Sequence, residues 1–174
     1  MIDPGFNYLK RREALQGRYD ARTKIKNECD IAYFEKFGDE HHAVENVIKY
    51  ERLRFCGYTH EEAFRFNDCG WIIDNYGNKH KTWRVAQTKN VFCDIHTFQI
   101  PNGKWVSGST YWGGVSGYGA YPSIYGKQFN TEREAKRGEI LYVISMIEKG
   151  HDEPVELLPQ LKKAAADFLQ LSLF

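Results

Sequence analysis

Asn90-Val91-Phe92-Cys93-Asp94-Ile95-His96-Thr97-Phe98-Gln99-Ile100-Pro101-Asn102-Gly103-Lys104-Trp105-Val106-Ser107-Gly108-Ser109-Thr110-Tyr111-Trp112 decides the fold of this chain. Val91, Cys93, Ile95 and Thr97 recur at period two, with Phe92 and Phe98 on the other parity. That is the period of a strand whose alternate side chains face a core. Pro101-Asn102-Gly103-Lys104 is a hairpin connection, because Asn-Gly tolerates the positive φ of tight turns, and residues 105–112 return as the partner strand. Upstream, Thr82-Trp83-Arg84-Val85-Ala86 shows a partial period of two behind Asn75-Tyr76-Gly77-Asn78, a turn sequence. Strands joined by local hairpins need no crossover helices, so an antiparallel sheet of three or four strands is expected.

Helical patterns lie on both sides of this region. Residues 8–27, rich in Arg, Lys and Ala, read as a helix or a basic arm. Residues 28–56 continue the pattern through Ile31, Phe34, Val44, Val47, Ile48, Leu53 and Phe55, with an interruption at Gly38-Asp39 and a stop at Gly57. Thr59-His60-Glu61-Glu62 is a capping box and predicts a short helix through Phe64 and Phe66 that ends near Gly70. After the hairpin, the glycine-rich residues 113–122 are expected to break regular structure. Thr131-Glu132-Arg133-Glu134 is a second capping box. It opens the clearest helix, with an apolar stripe of Ala135, Ile140, Leu141, Ile144 and Ile147 closed by Gly150. Leu157, Leu158, Leu161, Ala165 and Phe168 mark a last helix. The order predicts an α+β fold: one domain over residues 1–169, helical to 70, sheet over 71–128 and helical over 129–169, followed by a tail at 170–174.

The chain has 174 residues, 42% hydrophobic and 27% charged, which suits a globular core and excludes wholesale disorder. No apolar run approaches the roughly 20 residues of a membrane span. Met1-Ile2-Asp3-Pro4-Gly5 carries no export signal, so a cytoplasmic, reduced protein is expected. Cys29, Cys56, Cys69 and Cys93 form no C-x-x-C pair and read as small buried thiols, although His41, His42 and His60 near them leave a mixed Cys/His site open. No cofactor is implied. The net charge is +1, but residues 69–127 carry six basic side chains against two acidic ones. That excess permits a local nucleic-acid face.

The chain ends Gln170-Leu171-Ser172-Leu173-Phe174. This resembles the Q-L-S/D-L-F peptide by which bacterial DNA polymerases, repair proteins and replication factors grip the DNA sliding clamp. The resemblance implies an extended peptide entering a pocket between two clamp subdomains, with Leu173 and Phe174 as apolar anchors, Leu171 as a smaller contact and the Gln170 amide at the rim. The bland alternative packs these residues onto the domain as the frayed end of the last helix. Gly103-Lys104-Trp105-Val106-Ser107-Gly108 and Phe129-Asn130-Thr131-Glu132-Arg133-Glu134-Ala135 resemble the G-x-W-x-x-G strand and F-x-T-x-x-E-A helix of small accessory domains carried by bacteriophages and plasmids. Together the two likenesses imply a non-enzymatic phage- or plasmid-type protein that binds the clamp as a replication accessory or an inhibitor.

Two other classes stay open. Lys79, Lys81, Arg84 and Lys104, with Trp112 and Tyr118 and with Lys127 nearby, could contact phosphates and stack on bases, which makes DNA a second expected partner and a DNA-binding or anti-defence protein the second expected class. Alternatively the aromatics of this segment cover a sheet edge. Asp74 followed by Gln87-Thr88-Lys89 resembles the D…(E/Q)-x-K pattern of restriction-type nucleases, where an acid and its neighbour hold a divalent metal and Lys stabilises developing charge. Asp94-x-His96 puts two titratable groups on one strand face, with no nucleophile at a motif spacing.

Overall fold

The computed structural model describes residues 7–25, 28–39, 42–73, 79–114, 117–150 and 154–170. The fold is α+β. Among the described residues it has six α-helices and one four-stranded antiparallel sheet. The chain divides into two compact units, Asp3–Asn75 and Tyr76–Phe174.

The first unit is helical: α1 (Tyr8–Ile25), α2 (Glu28–Glu35), α3 (Ala43–Phe55) and α4 (His60–Ala63). Its buried side chains include Leu15, Tyr19, Phe34, Val47, Ile48 and Leu53. Tyr19 and Phe34 meet edge to face at 5.2 Å, and Arg11 pairs with Glu51 at 2.5 Å. The Thr59 capping box forms as expected, the Thr59 hydroxyl accepting from Glu62 N and the Glu62 carboxylate accepting from Thr59 N. The helix it opens is only four residues long, however, and does not run to Gly70. Asn67 competes for the backbone: its Oδ1 accepts from Cys69 N at 3.0 Å and Trp71 N at 2.9 Å. That turn brings Phe66 opposite Ile72 in an antiparallel bridge.

The second unit holds the sheet, in the order β1 (Lys81–Gln87), β2 (Phe92–Gln99), β3 (Trp105–Trp112) and β4 (Gly117–Ala120). The Asn102-Gly103 turn is present, with Gly103 at φ +84° and Asn102 Oδ1 accepting from Lys104 N at 2.9 Å. β4 lies inside the segment expected to break regular structure. Glycine makes it possible: a Cβ on Gly117 would lie 2.6 Å from the Trp112 ring, and Tyr118 stacks on Tyr111 at 5.4 Å. Helices α5 (Glu132–Glu148) and α6 (Leu158–Gln170) cover one face. Val143, Ile140, Ile144, Ile147, Leu157, Leu161 and Ala165 pack there against Cys93, Ile95 and Tyr111. Leu141, placed in the apolar stripe by its sequence, instead points outward and is 40% exposed, and Val143 fills the inward position. No helix among the described residues is long and apolar enough to cross a membrane.

Candidate functional site

Sheet parity distributes the candidate basic and aromatic residues. Lys81 pairs in register with Thr97 and therefore shares the helix-covered face. Glu132, in the first turn of α5, gathers this corner: its Oε1 accepts from Thr97 Oγ1 at 3.0 Å and lies 3.5 Å from Lys81 Nζ. Lys136 Nζ sits 3.1 Å from the Trp83 ring centroid, and burial pushes its ammonium below the usual lysine range. Tyr118 is on the same face, opposite Tyr111.

Arg84 and Trp112 lie on the other face. Arg84 is bound by Asp94 through two hydrogen bonds, one of them from Nη2 at 3.0 Å, and its guanidinium covers the Phe92 ring at 4.1 Å. This fork-to-carboxylate pair neutralises Arg84 and holds its direction. Lys104 lies beside the β2–β3 turn and donates to Asn130 Oδ1. Lys79 is exposed ahead of β1. The structure therefore does not bring Lys79, Lys81, Arg84, Lys104, Trp112 and Tyr118 into one patch. Positions 81 and 84 differ by an odd number, which is the sequence signal that they occupy opposite faces.

On the Arg84 face, His96 is the most enclosed polar group, 5% exposed. Its Nδ1 lies 3.0 Å from Thr82 Oγ1 and its Nε2 lies 2.8 Å from Thr110 Oγ1. The His80 ring stands edge-on at 4.9 Å, and Tyr121 closes the group at 5.4 Å. A neutral imidazole satisfies both hydroxyls, donating from one nitrogen and accepting at the other. Burial, and after it the nearby His80, hold the His96 pKa below its usual 6.5, with Asp94 pulling weakly the other way. Because a depressed pKa here favours the neutral base, the unfolded chain takes up a proton that the folded chain refuses. Stability is then full above pH 6.5 and falls as pH drops from 6.5 towards the lowered folded value. Melting temperatures measured across that window should decline, and His96→Gln should flatten the decline. An unchanged slope in that variant would show that His96 does not carry it.

Of the nuclease-like pattern, Asp74 lies outside the described residues. Gln87 and Thr88 are engaged in docking α6: Gln87 N donates to Gln160 Oε1 and Gln160 Nε2 returns to Gln87 O, both at 3.0 Å, while Thr88 Oγ1 donates to Glu156. The Gln87 side chain accepts from Arg84. Cys56 and Cys93 are buried, and burial pushes the Cys93 thiol up to about 12, but Cys69 is exposed at the Asn67 turn. Among the described residues no group of three or more His, Cys, Asp or Glu side chains could hold a metal ion.

Residues 171–174 of the clamp-like peptide lie outside the described residues, and Gln170 is the last described residue of α6. The last turn of α6 is held by α5. Arg133 Nε donates to Phe168 O at 2.7 Å, and Arg133 Nη2 donates to Asp167 O at 3.4 Å. No family model, curated protein or solved structure matches this chain.

Proposed function

We propose that this chain binds the bacterial DNA sliding clamp through Gln170, Leu171, Ser172, Leu173 and Phe174. What carries the reading is the agreement of those five positions with the clamp-binding peptide. The reading entails a cytoplasmic phage- or plasmid-type protein without an enzymatic role. It either rides the clamp as a replication accessory or competes with host factors for the same pocket.

Leu173→Ala combined with Phe174→Ala tests it by titration against purified clamp. Each anchor loses roughly 1.5 to 3 kcal/mol of burial, so affinity should fall about a hundredfold or more. The melting temperature should stay at the parent value. Parent protein that fails to bind clamp, or a variant that binds as well as the parent, would remove the proposal.

A further inference from the structure

Outside the sheet face and the tail, one cavity combines charge with an apolar wall. It measures about 360 Å³ and lies between the β2–β3 turn, residues 127–130 and the outer side of α5. Lys104, Lys127 and Arg137 line it, with Glu134 as the acidic lining residue. The Glu134 carboxylate is already engaged, accepting from Asn130 N at 3.0 Å and Thr131 N at 3.2 Å at the start of α5. Lys104 donates to a neutral amide oxygen, that of Asn130. Lys127 Nζ lies over the Phe129 ring at 5.2 Å. Arg137 Nε is buried and, among the described residues, has no hydrogen-bond partner.

A buried guanidinium nitrogen without an acceptor is an exception to the rule that buried polar groups are paired. Three cations against one committed carboxylate leave a surplus of two positive charges, which a phosphomonoester dianion matches and a single carboxylate does not. The other wall is apolar. Phe129 is pressed against α5 so closely that a Cβ on Gly138 would lie 2.5 Å from its ring tip, and Leu141 faces outward beside them. The volume falls at the small end of ligand sites.

We infer that this cavity binds a small phosphomonoester with a flat organic body, the chemistry of a mononucleotide, its phosphate held by Lys104, Lys127 and Arg137 and its body against Phe129 and Leu141. The inference is independent of clamp binding. Calorimetric titration of the full chain with adenosine 5′-monophosphate, inorganic phosphate and adenosine tests it. The monophosphate should bind saturably and more tightly than either part alone. Arg137→Gln should weaken it about tenfold or more, as should Lys127→Ala. Leu141→Trp, which fills the cavity from an exposed position, should block binding while leaving the melting temperature intact, so that lost binding is separated from lost folding. No saturable binding at millimolar monophosphate, equal binding of adenosine, or indifference to Arg137→Gln and Leu141→Trp would each overturn the assignment.

Discussion

Gly108→Ala should cost about 3 kcal/mol or more, beyond the usual range for overpacking a core. Gly108 sits in the middle of β3, opposite His96 of β2. A Cβ there would lie 2.1 Å from Ala120 O, 2.6 Å from Tyr121 C and 2.8 Å from Pro122 N. All three atoms are main chain, so no rotamer change relieves the clash. The exit of β4 would have to lift from the sheet. Ile124, which follows this crossing, and Val106, whose side chain shares a sheet face with Gly108, are both fully buried. Opening the crossing would expose apolar area worth roughly 1.5 to 3 kcal/mol per large side chain. Gly119→Ala is the control. It lies on the neighbouring strand, where a Cβ would meet the Thr110 hydroxyl at an ordinary 3.4 Å. Urea unfolding of both variants should separate them clearly. Equal stabilities would mean that the β4 crossing yields without cost.

The elements legible in the sequence are those that local chemistry specifies. The Asn102-Gly103 turn fixes β2 and β3, and each Thr-x-x-Glu capping box places a helix start at residue 60 or 132. What escaped reading depends on neighbours distant in sequence. Gly117 looks like a breaker until Trp112 is seen to require close approach. Leu141 fits an apolar helical stripe, yet the sheet takes Val143 instead. The α5 face towards the sheet is partly polar, with Glu139 accepting from Ser107 at 2.9 Å and Ser109 at 2.8 Å. No periodicity announces such bonds. The cavity draws Lys104, Lys127 and Arg137 from three separate segments, and the antiparallel bridge of Phe129 to Trp105 brings residues 127–129 beside the β2–β3 turn. The basic surplus of residues 69–127 was visible, but strand parity divides it between two faces.

Asn46→Ala should unfold much of the helical unit, because one amide there holds three backbone groups. Asn46 lies among Val44, Val47 and Ile48 in α3 and is fully buried. Its Nδ2 donates to Phe37 O and to Gly70 O, each at 2.8 Å, and its Oδ1 accepts from Ile72 N at 2.9 Å. The segment after α2 and the turn after α4 are thus both fastened to α3. Alanine removes all three bonds and leaves the Phe37 carbonyl and the Ile72 N–H buried, with the Gly70 carbonyl part-buried. At about 1 to 3 kcal/mol for each buried unsatisfied group, the loss reaches at least about 2 kcal/mol. Asn46→Asp separates hydrogen bonding from packing, since the shapes match. The introduced carboxylate can still accept from Ile72 N, but it offers no donor to the two carbonyls and carries a buried charge. Its pKa would be raised above the unfolded value, so this variant should gain stability as pH falls through that raised pKa, whereas Asn46→Ala should not. Hydrogen exchange at the Ile72 amide gives the local readout. It should be strongly protected in the parent and exchange much faster in Asn46→Ala. Retained protection at Ile72 in that variant would show that the turn is held by packing rather than by the amide.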